Sequence, residues 1–151
     1  MSTNKGLFLG KIDVEYGQFY LDLTDDDESL FEGDVENAFE GQENGICGGA
    51  IEGLLYFVAA LNVGPISVCI DLLEKAPELN PEYQDIVEVS FSNGNSSLGL
   101  CQWGHEKTYP LDLPKGTYRV RYSVDGMGKE HNESDDWDAP VPGQRHLIQL
   151  W

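Results

Sequence analysis

Apolar and polar residues alternate most regularly across residues 109–124, YPLDLPKGTYRVRYSV. Leu111 and Leu113 flank Asp112 ahead of Pro114-Lys115-Gly116. Tyr118, Val120, Tyr122 and Val124 then alternate with Arg119, Arg121 and Ser123. Period-two alternation marks strands with one buried and one wet face. Proline presets its own φ and glycine accepts positive φ, so the stretch predicts two antiparallel strands joined by a tight turn. The same alternation places Ile12, Val14 and Tyr16 against Lys11, Asp13 and Glu15, and resumes at Phe19, Leu21 and Leu23. Gly17-Gln18 between them predicts either one strand bent at a glycine bulge or a tight hairpin. Residues 1–10 read as a loosely held lead-in.

Residues 54–61, LLYFVAAL, are continuously apolar and predict a central strand buried on both faces, with residues 66–72 as its hairpin partner. Residues 86–91 predict another strand, turned by Asn93-Gly94 into one carrying Leu98 and Leu100. The closing HLIQLW predicts a final strand built into a sheet. Val35, Ala38 and Phe39 have helical spacing, which predicts a short helix over residues 34–40. The glycine-rich GQENGICGGAIEG lacks both the GxGxxG order and a Walker lysine, so it reads as a bulged strand or turn near other backbone. Together these elements predict an all-β chain: a single-domain antiparallel β-sandwich or partly open barrel of about eight or nine strands, with at most one short helix.

Composition adds three constraints. A chain of 151 residues can bury a core without metal or disulfide staples. No apolar run approaches the roughly 20 residues needed to cross a bilayer, and no signal-peptide pattern opens the chain. Cys47, Cys69 and Cys101 are odd in number and widely spaced, which argues against a disulfide framework or a zinc site and for reduced thiols in a cytoplasmic protein.

Charge changes the picture most. Against 27 acidic residues stand 9 lysines and arginines, a net charge of −18. Such a surface repels nucleic acid and anionic lipid and attracts basic proteins over long range. Residues 22–43 hold ten acidic residues and no basic one, with Asp25, Asp26, Asp27 and Glu28 in a row. A second acidic group, Glu130, Glu133, Asp135, Asp136 and Asp138, surrounds Trp137.

Candidate chemistry is sparse. Asp25, Asp27, Ser29, Phe31 and Glu36 match EF-hand ligand positions, but Leu30 stands where that loop needs glycine. His131 beside Glu133, Asp135 and Asp136 reads as a solvated acidic surface rather than a metal site. No elbow or loop places a cysteine beside a histidine for nucleophilic catalysis. No enzyme, metal or cofactor is therefore expected. The remaining candidate is a partner-binding surface comprising Asp25, Asp26, Asp27, Glu28, Phe31, Asp34, Glu36, Asp135, Asp136 and Trp137, where acids steer a basic protein and aromatics anchor it. The alternative for Phe31, Phe39 and Trp137 is that they pin their own loops to the domain. Two other roles stay open: a small-ligand pocket lined by Trp103, Tyr118 and Tyr122, and an oligomerising module in which HLIQLW pairs edge to edge in a homodimer.

The blocks AFEGQENGICGGAIEG, DIVEVSF, LDLPKGTYRVRYSVDGMG and HLIQLW resemble a family of uncharacterised bacterial cytosolic proteins with no known activity. VEYGQF, DIVEVSF and LDLPKGTY more distantly resemble the competence protein J family, inhibitors of a secreted DNA-entry nuclease. That resemblance implies a small acidic β-protein that binds and blocks a nuclease; taken with the charge, it leads to the expectation of an inhibitor or immunity protein that neutralises a basic nuclease or toxin. It transfers no catalytic residue.

Overall fold

The computed structural model describes residues 4–31, 35–94 and 97–151. Two five-stranded sheets face each other. The first carries β1 (Lys5–Val14), β5 (Gly64–Leu72), β10 (Arg145–Leu150), β9 (Gly116–Asp125) and β6 (Asp85–Asn93), in that spatial order. The second carries β3 (Cys47–Gly48), β4 (Leu55–Val58), β2 (Gln18–Leu23), β7 (Leu98–Gln102) and β8 (Thr108–Pro110). Among the described residues one short α-helix, α1 (Val35–Ala38), falls within the predicted helical stretch. The all-β sandwich is as expected, and both sheets are open. The strands beyond the expected eight or nine include short pieces, Cys47–Gly48 and Thr108–Pro110. The pairing is antiparallel except between β5 and β10, which run parallel.

The alternation located strands well but mispaired them. β8 and β9, predicted as a hairpin, lie in opposite sheets. The same is true of β4 and β5, and of β6 and β7. Alternation shows only that a strand has one buried face, and both walls of a sandwich meet that condition. The turn after β8 is a corner: Leu111 donates its N–H to the Leu98 carbonyl, and Asn93 Nδ2 donates to the Leu113 carbonyl at 3.1 Å. Leu111 and Leu113 are still buried, which is why their pattern looked like a strand.

β1 starts at Lys5, so the expected loose lead-in is largely sheet, with an irregularity between Gly6 and Phe8. Between β1 and β2, Tyr16 and Gly17 take φ of 56° and 63°, and Glu15 bridges Gln18. Positive φ at both central residues makes this a tight two-residue turn of the primed kind, after which the strands part into opposite sheets. HLIQLW is an interior strand, flanked by β5 and β9. Its backbone groups are already paired, so the expected edge-to-edge dimer through it is ruled out.

Between the sheets, Phe19 stacks on Phe57 at 5.0 Å, and the buried Tyr122 meets both rings edge-on. Tyr122 donates its hydroxyl to the Val58 carbonyl at 2.8 Å, linking the two walls. Glycine is required where β3 meets its neighbours. A Cβ on Gly48 would lie 2.6 Å from the Ala38 carbonyl oxygen, and one on Gly49 2.9 Å from that of Ser90.

Candidate functional site

The described residues that follow β2 in the first acidic segment, 24–31 and 35–43, lie over the outer face of the second sheet. Tyr20 and Tyr56 project from that face, and Phe31 stacks on Tyr20 at 4.9 Å while Phe39 meets Tyr56 edge-on at 5.5 Å. These rings form a second apolar cluster with Leu30, Ala38, Leu54 and Cys101. Phe31 thus attaches its loop to the sheet. Asp22 sits beneath, fully buried. Its carboxylate accepts from the Leu23 N–H at 2.7 Å, the Leu30 N–H at 2.9 Å and the Ser29 hydroxyl at 2.6 Å. His105 Nε2 lies 3.6 Å away and contacts the Leu23 carbonyl at 3.0 Å. The strand pattern placed Asp22 on a wet face. Its partners Ser29 and Leu30 lie seven and eight residues on, beyond the reach of a local motif.

The candidate acids of this loop sit above that anchor. Asp25 Oδ1 accepts from the Asp27 N–H at 3.0 Å, and Asp26–Glu28 form a single 3-10 turn. Asp25, Asp27 and Glu28 are exposed, as is Glu36 in the first turn of α1. Asp34 lies outside the described residues. Among the described residues, no three histidine, cysteine, aspartate or glutamate side chains gather to hold a metal ion.

The second acidic segment sits at one end of the sandwich. Asp135 accepts from the Asn132 N–H at 2.7 Å and Asp136 from the Asp138 N–H at 3.0 Å, so both shape their own loop. Trp137 is 59% exposed and stacks on His131 at 5.0 Å. His131 Nε2 contacts the Ala139 carbonyl at 2.7 Å. Trp137 and His131 face residues 62–65 across a shallow recess of about 390 Å³. The root of this loop is tied inward. Gln144 Nε2 donates to the Lys129 and Gly126 carbonyls at 2.8 and 3.0 Å, and Gly128 N–H donates to the Ala60 carbonyl.

The nucleophile candidates are quenched. Burial raises the Cys47 thiol far above its usual range and pushes Cys101 up to about 12. Burial, then Asp71, raises Cys69. The buried His146 is pushed down to about 4, mainly by desolvation. Its Nε2 accepts from the Ala60 N–H and its Nδ1 donates to the Ser67 carbonyl, both at 3.0 Å, which fixes a neutral imidazole. The proposed lining of a ligand pocket is also dispersed. Tyr122 is in the core, Tyr118 bonds the Pro114 carbonyl, and Trp103 packs on Tyr16.

No protein-family model matches the chain, and no curated protein matches it. Solved structures do. ComJ from Bacillus subtilis, an inhibitor of the DNA-degrading activity of NucA, superposes with a TM-score of 0.58 over 98% of this chain and 97% of its own, at 17% identity. The fold resembles that of ComJ. The product of crocagin biosynthetic gene J superposes with a TM-score of 0.62 over 99% of this chain and 97% of its own, at 15% identity. Both likenesses run the full length of the sandwich, in agreement with the distant resemblance carried by VEYGQF, DIVEVSF and LDLPKGTY.

Proposed function

We propose that this protein is a non-enzymatic inhibitor that binds and neutralises a basic protein, a nuclease or toxin. The observation that carries the reading is the end-to-end likeness of fold to ComJ, an inhibitor of a DNA-degrading activity. The net charge of −18 supports it, because a DNA-degrading enzyme must present a cationic surface to phosphates. Carboxylates of Asp25, Asp26, Asp27, Glu28, Asp34, Glu36, Asp135 and Asp136 take the place of those phosphates, and Trp137 supplies an apolar anchor. Acids of this kind accelerate encounter, while a desolvated aromatic sets the lifetime of the complex.

The test is capture on the immobilised protein from lysate of its own organism, washed at low and at half-molar salt. Captured proteins are identified by mass and assayed for DNA degradation with and without the inhibitor. A basic nuclease released by salt and silenced stoichiometrically supports the reading. A partner whose binding is insensitive to salt, or a captured enzyme left fully active, counts against it.

A further inference from the structure

Four of the seven exposed large hydrophobic side chains among the described residues gather at one end of the sandwich: Tyr16, Val63, Trp103 and Trp137. Tyr16 and Trp103 touch, with ring centroids 5.1 Å apart. The turn bearing Tyr16 is bonded to the next segment through Gly17 N–H to the Asn62 carbonyl at 2.7 Å. Val63 follows and shares its recess with Trp137. The patch therefore runs from the Trp103–His105 3-10 turn, across the β1–β2 turn, to the second acidic loop.

Backbone strain marks the same place. Among the described residues, the non-glycine residues with positive φ are Tyr16 at 56° and His105 at 54°. One presents an exposed ring directly, and the other closes the turn that presents Trp103. Histidine is among the residues enriched in this region, but the bulky Tyr16 is not, and strain of that kind concentrates at functional sites. The rim is acidic, with Glu106, Glu130, Asp136 and Asp138 exposed. Two lysines at this end are turned to local carbonyls: Lys11 Nζ to Asp138 at 2.9 Å and Lys129 Nζ to Pro142 at 3.0 Å.

We infer that this aromatic end is the docking centre, with the longer acidic loop over the second sheet adding attraction from its periphery, and that it receives arginine side chains of a basic protein. The inference rests on the protein-binding reading above and gives it a location. Guanidinium planes stack on exposed tryptophan and tyrosine faces and pair bidentately with carboxylates, which ammonium groups do neither as well. The patch offers both features side by side.

The experiment titrates the full chain, isotopically labelled, with an arginine-rich peptide and with a lysine-rich peptide of equal length at low salt. The expected result is shifts centred on Tyr16, Val63 and the Trp103 and Trp137 indoles, with the Trp151 indole unmoved. The arginine peptide should bind several-fold more tightly than the lysine peptide. Trp103→Leu with Trp137→Leu should weaken binding about tenfold or more, while Asp27→Asn with Glu28→Gln weakens it about twofold. Tyr16→Asn should weaken binding without loss of folding, which separates docking from structural damage. Shifts centred on residues 25–43, or equal affinity for the two peptides, overturn this location and chemistry while leaving the inhibitor reading intact. No binding of either peptide overturns the location, and the inhibitor reading then stands or falls on the capture experiment alone.

Discussion

Residues 24–31 with 35–43, and residues 130–138, are both rich in carboxylates and both carry aromatic rings, yet they sit on the sandwich in opposite ways. The first lies across a sheet face that projects Tyr20 and Tyr56, and its own Phe31 and Phe39 turn inward onto them. The second crosses the end of the sandwich, where Trp137 stacks on His131 and stays 59% exposed. Composition alone does not decide whether an aromatic in an acidic loop is a pin or an anchor. What lies beneath it does. The roots differ as well: a buried carboxylate, Asp22, holds the first loop, while the second is held through Gln144 and the Ala60 backbone that His146 orients.

Breaking the first root gives the largest expected effect. Asp22→Ala removes the acceptor for two backbone N–H groups and the Ser29 hydroxyl, and should cost about 3 kcal/mol or more in denaturant unfolding. Amide exchange should then accelerate across residues 24–31 ahead of residues 130–138. Uniform acceleration would show that the two loops are not separately rooted. The second root answers to acid. His146 is neutral in the fold, pushed down to about 4 from an ordinary 6.5. The unfolded chain therefore takes up the proton first. The stability this imidazole contributes is complete above pH 6.5 and drains away as the pH falls toward 4, by about 3 kcal/mol. Protonation also removes the lone pair that Ala60 N–H uses. A His146→Gln variant should be less stable at neutral pH and show a flatter profile between pH 6.5 and 4. An unchanged slope would place the acid sensitivity elsewhere.

Strands were legible because Ile12, Val14, Val120, Tyr122 and Val124 repeat with a period of two and are all buried. Pairing was not legible. Pro114-Lys115-Gly116 reads equally well as a hairpin turn or as a corner between walls, and the bond that decides it comes from Asn93, twenty residues upstream. The acids of the candidate surface were visible as runs of charge. The burial of Asp22 was hidden, since its polarity fits a wet strand position and its partners belong to a loop that folds back. Trp137 was singled out, but Tyr16 was read only as a strand residue. Its exposure depends on a positive φ that no alternation pattern reveals.

A matched pair of substitutions sharpens the contrast between the two aromatics. Phe31→Ala should cost about 2 kcal/mol, because it strips a ring from a packed cluster. Trp137→Ala should cost no more than about 0.5 kcal/mol, as expected for an exposed side chain with one stacking neighbour. Chemical denaturation of both variants under the same conditions checks this. Similar losses would mean that Trp137 is a pin like Phe31, and its role as a docking anchor would lose its main support.

The smallest expected effect has the opposite sign. Tyr16 occupies the first central position of a turn that favours asparagine or glycine, at φ 56°. Asparagine relieves that strain and gives up a ring contact with Trp103 at the exposed surface. Tyr16→Asn should therefore raise stability by about 0.5 kcal/mol, or the melting temperature by about 2 °C. A residue kept for folding would not be improved by its removal. A measured loss of stability would make Tyr16 part of the scaffold. A gain accompanied by weaker binding of an arginine-rich peptide would show that the strain is maintained because the ring is needed outside the fold.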